Sequence, residues 1–352
     1  MRGYGMIDVD QAGWIEKEPP QAGPLDALVR PVAVAPCTSD VHLLHGGGKR
    51  MQNRILGHEA VGEVVEVGSL VERFKPGDLV AVPCSTPDWG ATQLQRRGSN
   101  NAHDRGLQKS FKFAMQKDGV FAELFSVNDA DANLACIPEG VSIEDALMCV
   151  DMMSTGFYGA ELADVQFGDS VVVFGIGPVG LMAVAGAALR GAGRLIAVGS
   201  RPNCAQLARE FGATDVVDYR EGDVVSQVRS MEGRVDACII AGGGPSCIND
   251  ALALTRAGGT IASIMFYDAE DQIEFGAREW GLGMGDITLR SGFCPGGAYR
   301  IERLLKVVQA GRVHPGKLLN RRFEGFDAIE DAFALMEEKP RDLVKPYVFI
   351  EW

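Results

Sequence analysis

Two rhythms of apolar and polar positions divide the chain. Up to about residue 150 the apolar residues come in short β-branched or aromatic runs: GEVVEVG (62–68), DLVAVP (78–83) and FAELFSV (121–127). Gly, Pro and Asp bound them, and Pro76-Gly77-Asp78 marks a turn. This pattern predicts a β-rich region. The stretch from Pro87 to Lys117 breaks the rhythm; with its polar GSNNAHDRG it is expected to be a long surface loop or lobe.

From about Asp169 apolar strand runs alternate with helical patterns. SVVVFG reads as a strand, PVGLMAVAGAALRG as a helix, RLIAVGS as a strand and NCAQLAREFG as a helix. DVVDY, VDACIIAGG, GTIASIMF and DITLRSG continue the strands. VVSQVRSM and SCINDALALTRAGG continue the helices, the latter expected to end at its glycines. Continuous apolar strands between amphipathic helices predict a parallel sheet covered on both faces. The closing FEGFDAIEDAFALMEEKP and LVKPYVFIE give one helix and one strand, expected to return to the first region and make it discontinuous. Val171–Leu189 is apolar enough to raise a membrane span. Gly175, Gly177, Pro178 and Gly180 interrupt it, so strand, turn and helix in succession explain it better. The expected domains are 1–153 with 296–352, and 154–295.

A length of 352 residues suits two domains, and the composition is ordinary for a globular chain. A net charge of −13 argues against nucleic acid or an anionic membrane as partner. The eight cysteines are scattered without a C-x-x-C pair, which reads as reduced thiols in the cytoplasm. The first residues lack the basic and apolar regions of a signal peptide.

Gly175-Ile176-Gly177-Pro178-Val179-Gly180 is G-x-G-x-x-G between a strand and a helix, the setting that makes it a dinucleotide fingerprint. Its helix N-terminus would face the pyrophosphate. The alternative, a glycine-rich turn without a ligand, leaves the surrounding βαβ unit unexplained. About twenty residues on, NAD enzymes carry a carboxylate for the ribose 2′-OH. Here stand Gly199, Ser200 and Arg201. No acid repels a 2′-phosphate, Ser200 can donate to it and Arg201 can pair with it. Tyr219 could close the pocket, and the trio points to NADP(H). Read alone, Arg201 could equally be a solvated residue at a helix start.

Cys37 in APCTSDVH, His58 and Glu59 in GHEAVGEVVEVG and Asp151 in VDMMSTGFYGA bring thiol, imidazole and carboxylates. Three such ligands with an open fourth position suit a catalytic zinc ion. Spacing alone leaves open that each is a core residue.

APCTSDVH, GHEAVGEVVEVG, FGIGPVG and DMMSTGFYGAELAD together resemble the zinc-dependent medium-chain alcohol dehydrogenases, in their NADP-dependent secondary-alcohol branch. The resemblance runs over essentially the whole chain. It implies an α/β fold: a Rossmann doubly wound parallel sheet plus a β-rich GroES-like catalytic domain. It implies one zinc ion on Cys37, His58 and Asp151, with Glu59 either a labile fourth ligand or a neighbouring carboxylate. No cysteine occurs between Cys84 and Cys136, so the family's second, structural zinc is not expected. The implied reaction is reversible oxidation of small secondary alcohols to ketones by zinc-assisted hydride transfer. Ser39 and His42 would relay the alcohol proton through the cofactor ribose to solvent. Ile264, Met265 and Phe266 would lie along the cofactor, and Lys339 would reach its phosphate or be an ordinary solvated lysine. Ser85, Phe111 and Phe293 would wall the substrate pocket. Relatives of this branch commonly carry Trp at the Phe111 position and Leu at that of Phe293. His45, His103 and His314 are expected to be surface residues. Tetrameric relatives imply a homotetramer. The alternatives are a polyol or threonine dehydrogenase of the same family, or a non-catalytic NADPH-binding member.

Overall fold

The computed structural model describes residues 1–47, 51–92, 94, 110–268 and 271–352. GSNNAHDRG and His103 lie outside them. The chain divides into two compact units, Met1–Ser154 with Cys294–Trp352, and Thr155–Phe293. These boundaries differ by one and two residues from the expected ones.

In the first unit the Ala27–Val34 strand lies at the centre of the main sheet. The order from one edge is Leu319–Glu324, Lys345–Phe349, Ala27–Val34, Ala60–Val67, Leu79–Val82 and Ala135–Cys136. Phe125–Val127 also pairs with the central strand. A small antiparallel sheet joins Gln11–Glu16, Arg2–Asp8 and Arg54–Ile55. Both neighbours of Ala27–Val34 in the main order run antiparallel to it. Its last residue, Val34, pairs with Ala60 and Val348, so the chain leaving the end of Ala27–Val34 runs towards the residues before Ala60 and along the start of Lys345–Phe349. Cys37, His58 with Glu59, and Lys345 sit at those three ends, which is how residues far apart in sequence come together.

The second unit carries six parallel strands in the order Asp215–Val217, Arg194–Val198, Ser170–Phe174, Val235–Ile240, Thr255–Ser263 and Thr288–Ser291. Counted along the unit this is 3-2-1-4-5-6, the doubly wound dinucleotide-binding topology. Ser170–Phe174 is buried along its whole length, as a strand covered on both faces must be. Its core is shared with Ile196, Cys238, Ile240, Leu252 and Ile261.

The apolar stretch 171–189 resolves into the Ser170–Phe174 strand and the Pro178–Arg190 helix, and Gly191 ends that helix in the left-handed region. No helix among the described residues is long and apolar enough to cross a membrane.

Several local expectations need correction. The helix of SCINDALALTRAGG ends at Leu254, not at its glycines, because Thr255 already turns into the next strand and its hydroxyl donates back to the Ala251 carbonyl. That strand ends at Ser263, so Ile264, Met265 and Phe266 follow it. Of FAELFSV only Phe125–Val127 is strand. The expected surface loop 87–117 is buried at Phe111–Ala114: Phe113 meets the Phe125 ring edge-on at 5.9 Å, and Lys112 pairs with Asp88. The Arg2–Asp8 and Ala27–Val34 strands carry too little regular alternation to be read from the sequence.

Candidate active site

Cys37 caps the Thr38–Leu44 helix with extended backbone. Its N–H donates to Asp40 Oδ2 at 2.9 Å. The other Asp40 oxygen accepts from the Gly57 N–H at 3.0 Å and lies 3.1 Å from His58 Nδ1. Asp40 is fully buried and ties the helix start to the GHE turn. Gly57 has φ +90°, and a Cβ there would stand 2.4 Å from the Phe121 ring, so only glycine fits the turn that presents His58.

With Nδ1 donating to Asp40, the imidazole presents Nε2 to the other functional groups. Nε2 is 3.3 Å from Ser39 Oγ, 3.4 Å from Asp151 Oδ2 and 3.9 Å from Glu59 Oε1. Asp151 lies in a π-helical turn, Cys149–Met153, spliced between the Ile143–Met148 and Ser154–Leu162 helices. Such single wide turns often accompany functional side chains. One ligand atom each from Cys37, His58, Glu59 and Asp151 lies within 4.8 Å of all the others.

The electrostatics favour a cation among these groups. Burial works against a charged His58. The Asp40 charge and hydrogen bonds with Asp151, Asp40 and Cys37 nevertheless raise its pKa well above the ordinary value. Burial raises the Glu59 carboxyl well above the usual range, and the Lys345 charge only partly opposes it. Burial also works against the Cys37 thiolate, but Lys345 and His58 lower its pKa. Lys345 is itself buried and donates to Glu59 Oε1 at 2.8 Å and to the Pro36 carbonyl at 3.0 Å. Glu59 Oε2 is buried and has no hydrogen-bond partner. A thiol, an imidazole and two carboxylates, one with an orphaned oxygen, fit a divalent ion of zinc's ligand preference.

Sequence reasoning missed Asp40 and Lys345. Asp40 was legible as the acid three residues after the cap, the capping-box position. Lys345, in a closing strand nearly three hundred residues from Glu59, left no local signal.

Of the other expected residues of the first unit, Phe111 meets the His58 ring edge-on at 4.9 Å. Ser85 is fully buried and His42 half-buried. Lys339, at the left-handed end of its helix, donates to Thr38 Oγ1 at 3.1 Å. His45 is exposed, as expected, but bridges Asp10 at 2.6 Å and Glu337 at 3.0 Å. Exposed His314 lies 3.5 Å from Asp145.

In the second unit, Gly175 leaves the first strand with φ +80°, where a Cβ would stand 2.6 Å from the Gly242 Cα. A Cβ on Gly180 would press to 1.7 Å on the Gly175 carbonyl oxygen. The chain Gly175 to Gly180, with Ile176, Pro178 and Val179, thus turns tightly into a helix at the point where strand order reverses. Arg201 Nη2 is 3.6 Å from the Cβ position of Gly177. Ser200 Oγ donates to Tyr219 Oη at 2.9 Å. Arg201, Ser200 and Tyr219 therefore line the edge of the glycine turn. Gly199 has a steric reason beyond the missing acid: a Cβ would come within 2.2 Å of the Ile176 side chain. Ile264, Met265 and Phe266 follow the fifth strand, with the Ile264 N–H donating to the Ile240 carbonyl at 3.0 Å. Phe293, half-buried, is the last residue of this unit.

The family model described as the alcohol dehydrogenase GroES-like domain matches residues 23–139. The one described as zinc-binding dehydrogenase matches residues 178–310. The NADP-dependent isopropanol dehydrogenase of Thermoanaerobacter brockii is 53% identical over 354 residues, covering 99% of this chain and 100% of that protein. The NADP-dependent isopropanol dehydrogenase of Clostridium beijerinckii is 51% identical with the same coverage. Among solved structures, an alcohol dehydrogenase from Thermus sp. ATN1 superposes with a TM-score of 0.87 at 27% identity, over 100% of both chains.

Proposed function

Because this chain belongs to the zinc-dependent medium-chain alcohol dehydrogenases, in their NADP-dependent secondary-alcohol branch, we propose that it interconverts small secondary alcohols and ketones with NADP(H). The observation that carries this reading is the convergence of Cys37, His58, Glu59 and Asp151 on one point.

Cys37, His58 and Asp151 would hold the zinc ion, with Glu59 within reach as a fourth ligand. Bound zinc supplies a Lewis acid for the alcohol or carbonyl oxygen, and NADP(H) supplies the hydride acceptor or donor. Asp40 fixes the His58 ring so that Nε2 faces the ligand point. Ser39 Oγ, beside that nitrogen, would take the alcohol proton, and His42, one helical turn on, would pass it to solvent. Phe111, packed on His58, and buried Ser85 would restrict the space for the substrate carbons. Arg201 and Ser200, with Tyr219, would take the 2′-phosphate. The first unit is then the catalytic domain and the second the cofactor domain.

The second unit's outermost strand, Thr288–Ser291, is exposed throughout, and Ile273, Phe275, Trp280, Leu282 and Met284 are exposed nearby in sequence. An open strand edge with apolar residues is a surface a second copy would cover. This supports a homo-oligomer, a tetramer by resemblance. Eight free cysteines suit work in the reducing cytoplasm. Light scattering on the purified chain tests the assembly.

Steady-state kinetics on 2-propanol, acetone, sorbitol and threonine with NADP⁺ or NAD⁺ test the activity. Preference for 2-propanol and acetone with NADP(H) is expected. Preference for sorbitol or threonine would move the chain to another branch, and no turnover by zinc-replete protein that binds NADPH would remove the enzyme reading.

A further inference from the structure

Cys84 lies in the first segment of the first unit and Cys294 opens its second segment, and the mechanism gives neither thiol a task. Both are buried, with Sγ atoms 3.4 Å apart. One oxygen of Asp151 and both sulfurs lie within 4.8 Å of one another. The backbone supports this placement: the Cys84 N–H donates to the Val150 carbonyl at 3.2 Å, anchoring Cys84 beside the π-helical turn.

Two thiolates on one tetrahedral ion, each about 2.3 Å from it, stand roughly 3.8 Å apart. The observed sulfur separation differs from that by a few tenths of an ångström. Two sulfurs with one carboxylate form a donor set distinct from that of Cys37, His58 and Glu59, with only Asp151 in common. Sulfur ligands select soft, thiophilic ions over magnesium or calcium.

We infer that Cys84, Cys294 and Asp151 form a second metal site, specific for thiophilic divalent cations such as cadmium or excess zinc. An ion held there draws on the carboxylate that the proposed catalytic zinc also needs. Its occupancy inhibits the enzyme. Metals that share a carboxylate commonly stand about 3.5–4 Å apart, so both sites can fill at once.

The test uses the one-zinc enzyme under a phosphine reductant, which keeps the thiols free without itself offering one. Cadmium is added in excess, unbound metal is removed, and zinc and cadmium per chain are counted together. The wild type should rise from one ion in total to two, with a new sulfur-to-cadmium charge-transfer band and loss of activity. Cys84→Ser and Cys84→Ala should both stay at one ion in total. Their retained first zinc shows that the fold and the first site survive the substitution. Cadmium that only replaces zinc leaves the wild-type total at one and overturns the proposal, as does a second ion that persists in both variants. A purified wild type that lacks even the first zinc would tell against Cys37, His58 and Asp151 as its ligands, a failure the second-ion count keeps separate.

Discussion

Asp40 holds His58 by its Nδ1 at 3.1 Å while accepting the backbone N–H groups of Cys37 and Gly57. One carboxylate thereby orients two of the proposed zinc ligands. Removing the hydrogen-bonded partner of a metal-binding histidine typically weakens metal affinity by about 10–100-fold. Asp40→Ala is expected to lose zinc to a chelator at that lower affinity. Metal retention across a chelator series measures it, and wild-type retention would mean that Asp40 only caps the helix.

Lys345 and Glu59 form a buried hydrogen-bonded pair. Removing one partner leaves the other buried polar group unsatisfied and costs about 1–3 kcal/mol. Lys345→Met should therefore lower stability by that order in urea unfolding of zinc-free protein, and adding Glu59→Gln should recover much of it. Additive losses in the double variant would refute the coupling.

Arg201 sits over the glycine turn beside Ser200 and Tyr219. A hydrogen bond to a charged group contributes roughly 1.5–3 kcal/mol, about 10–100-fold in affinity. Arg201→Ala is expected to raise KM for NADP⁺ by that factor and leave KM for NAD⁺ nearly unchanged. Equal changes for both cofactors would remove the 2′-phosphate role.

His45 bridges Asp10 and Glu337, and its hydrogen bond to Asp10, with both carboxylate charges, raises its pKa against the opposing effect of burial. A raised folded-state pKa means the folded chain holds the proton more tightly. The stabilisation is therefore complete below the unfolded value of about 6.5 and fades as pH rises through the folded value. The site is half-exposed and screened, so the effect is at most about 1 kcal/mol. The stability difference between wild type and His45→Gln should shrink from pH 5.5 to pH 9. A difference that grows with pH would reverse the assignment.

The second unit was the more legible one because parallel strands buried on both faces read as unbroken apolar runs. SVVVF and VDACII coincide with strands, and the glycine turn lies between Ser170–Phe174 and Pro178–Arg190. The first unit's small sheet was hidden, since Arg2–Asp8 and Gln11–Glu16 include glycines and polar residues that blur alternation. Cys37, His58, Glu59 and Asp151 could be named from local motifs. Lys345 and the Cys84–Cys294 contact could not, because each depends on strand or loop ends meeting across the first unit. The π-helical turn at Asp151 was likewise invisible, since it depends on one residue inserted into an otherwise helical run.

A single catalytic zinc would be held by one thiolate and by nitrogen and oxygen donors. Zinc K-edge X-ray absorption on the purified enzyme, at one zinc per chain, reads this directly. One sulfur at about 2.3 Å and the remaining ligands at about 2.0–2.2 Å are expected. Two or more sulfurs per zinc, or none, would contradict it.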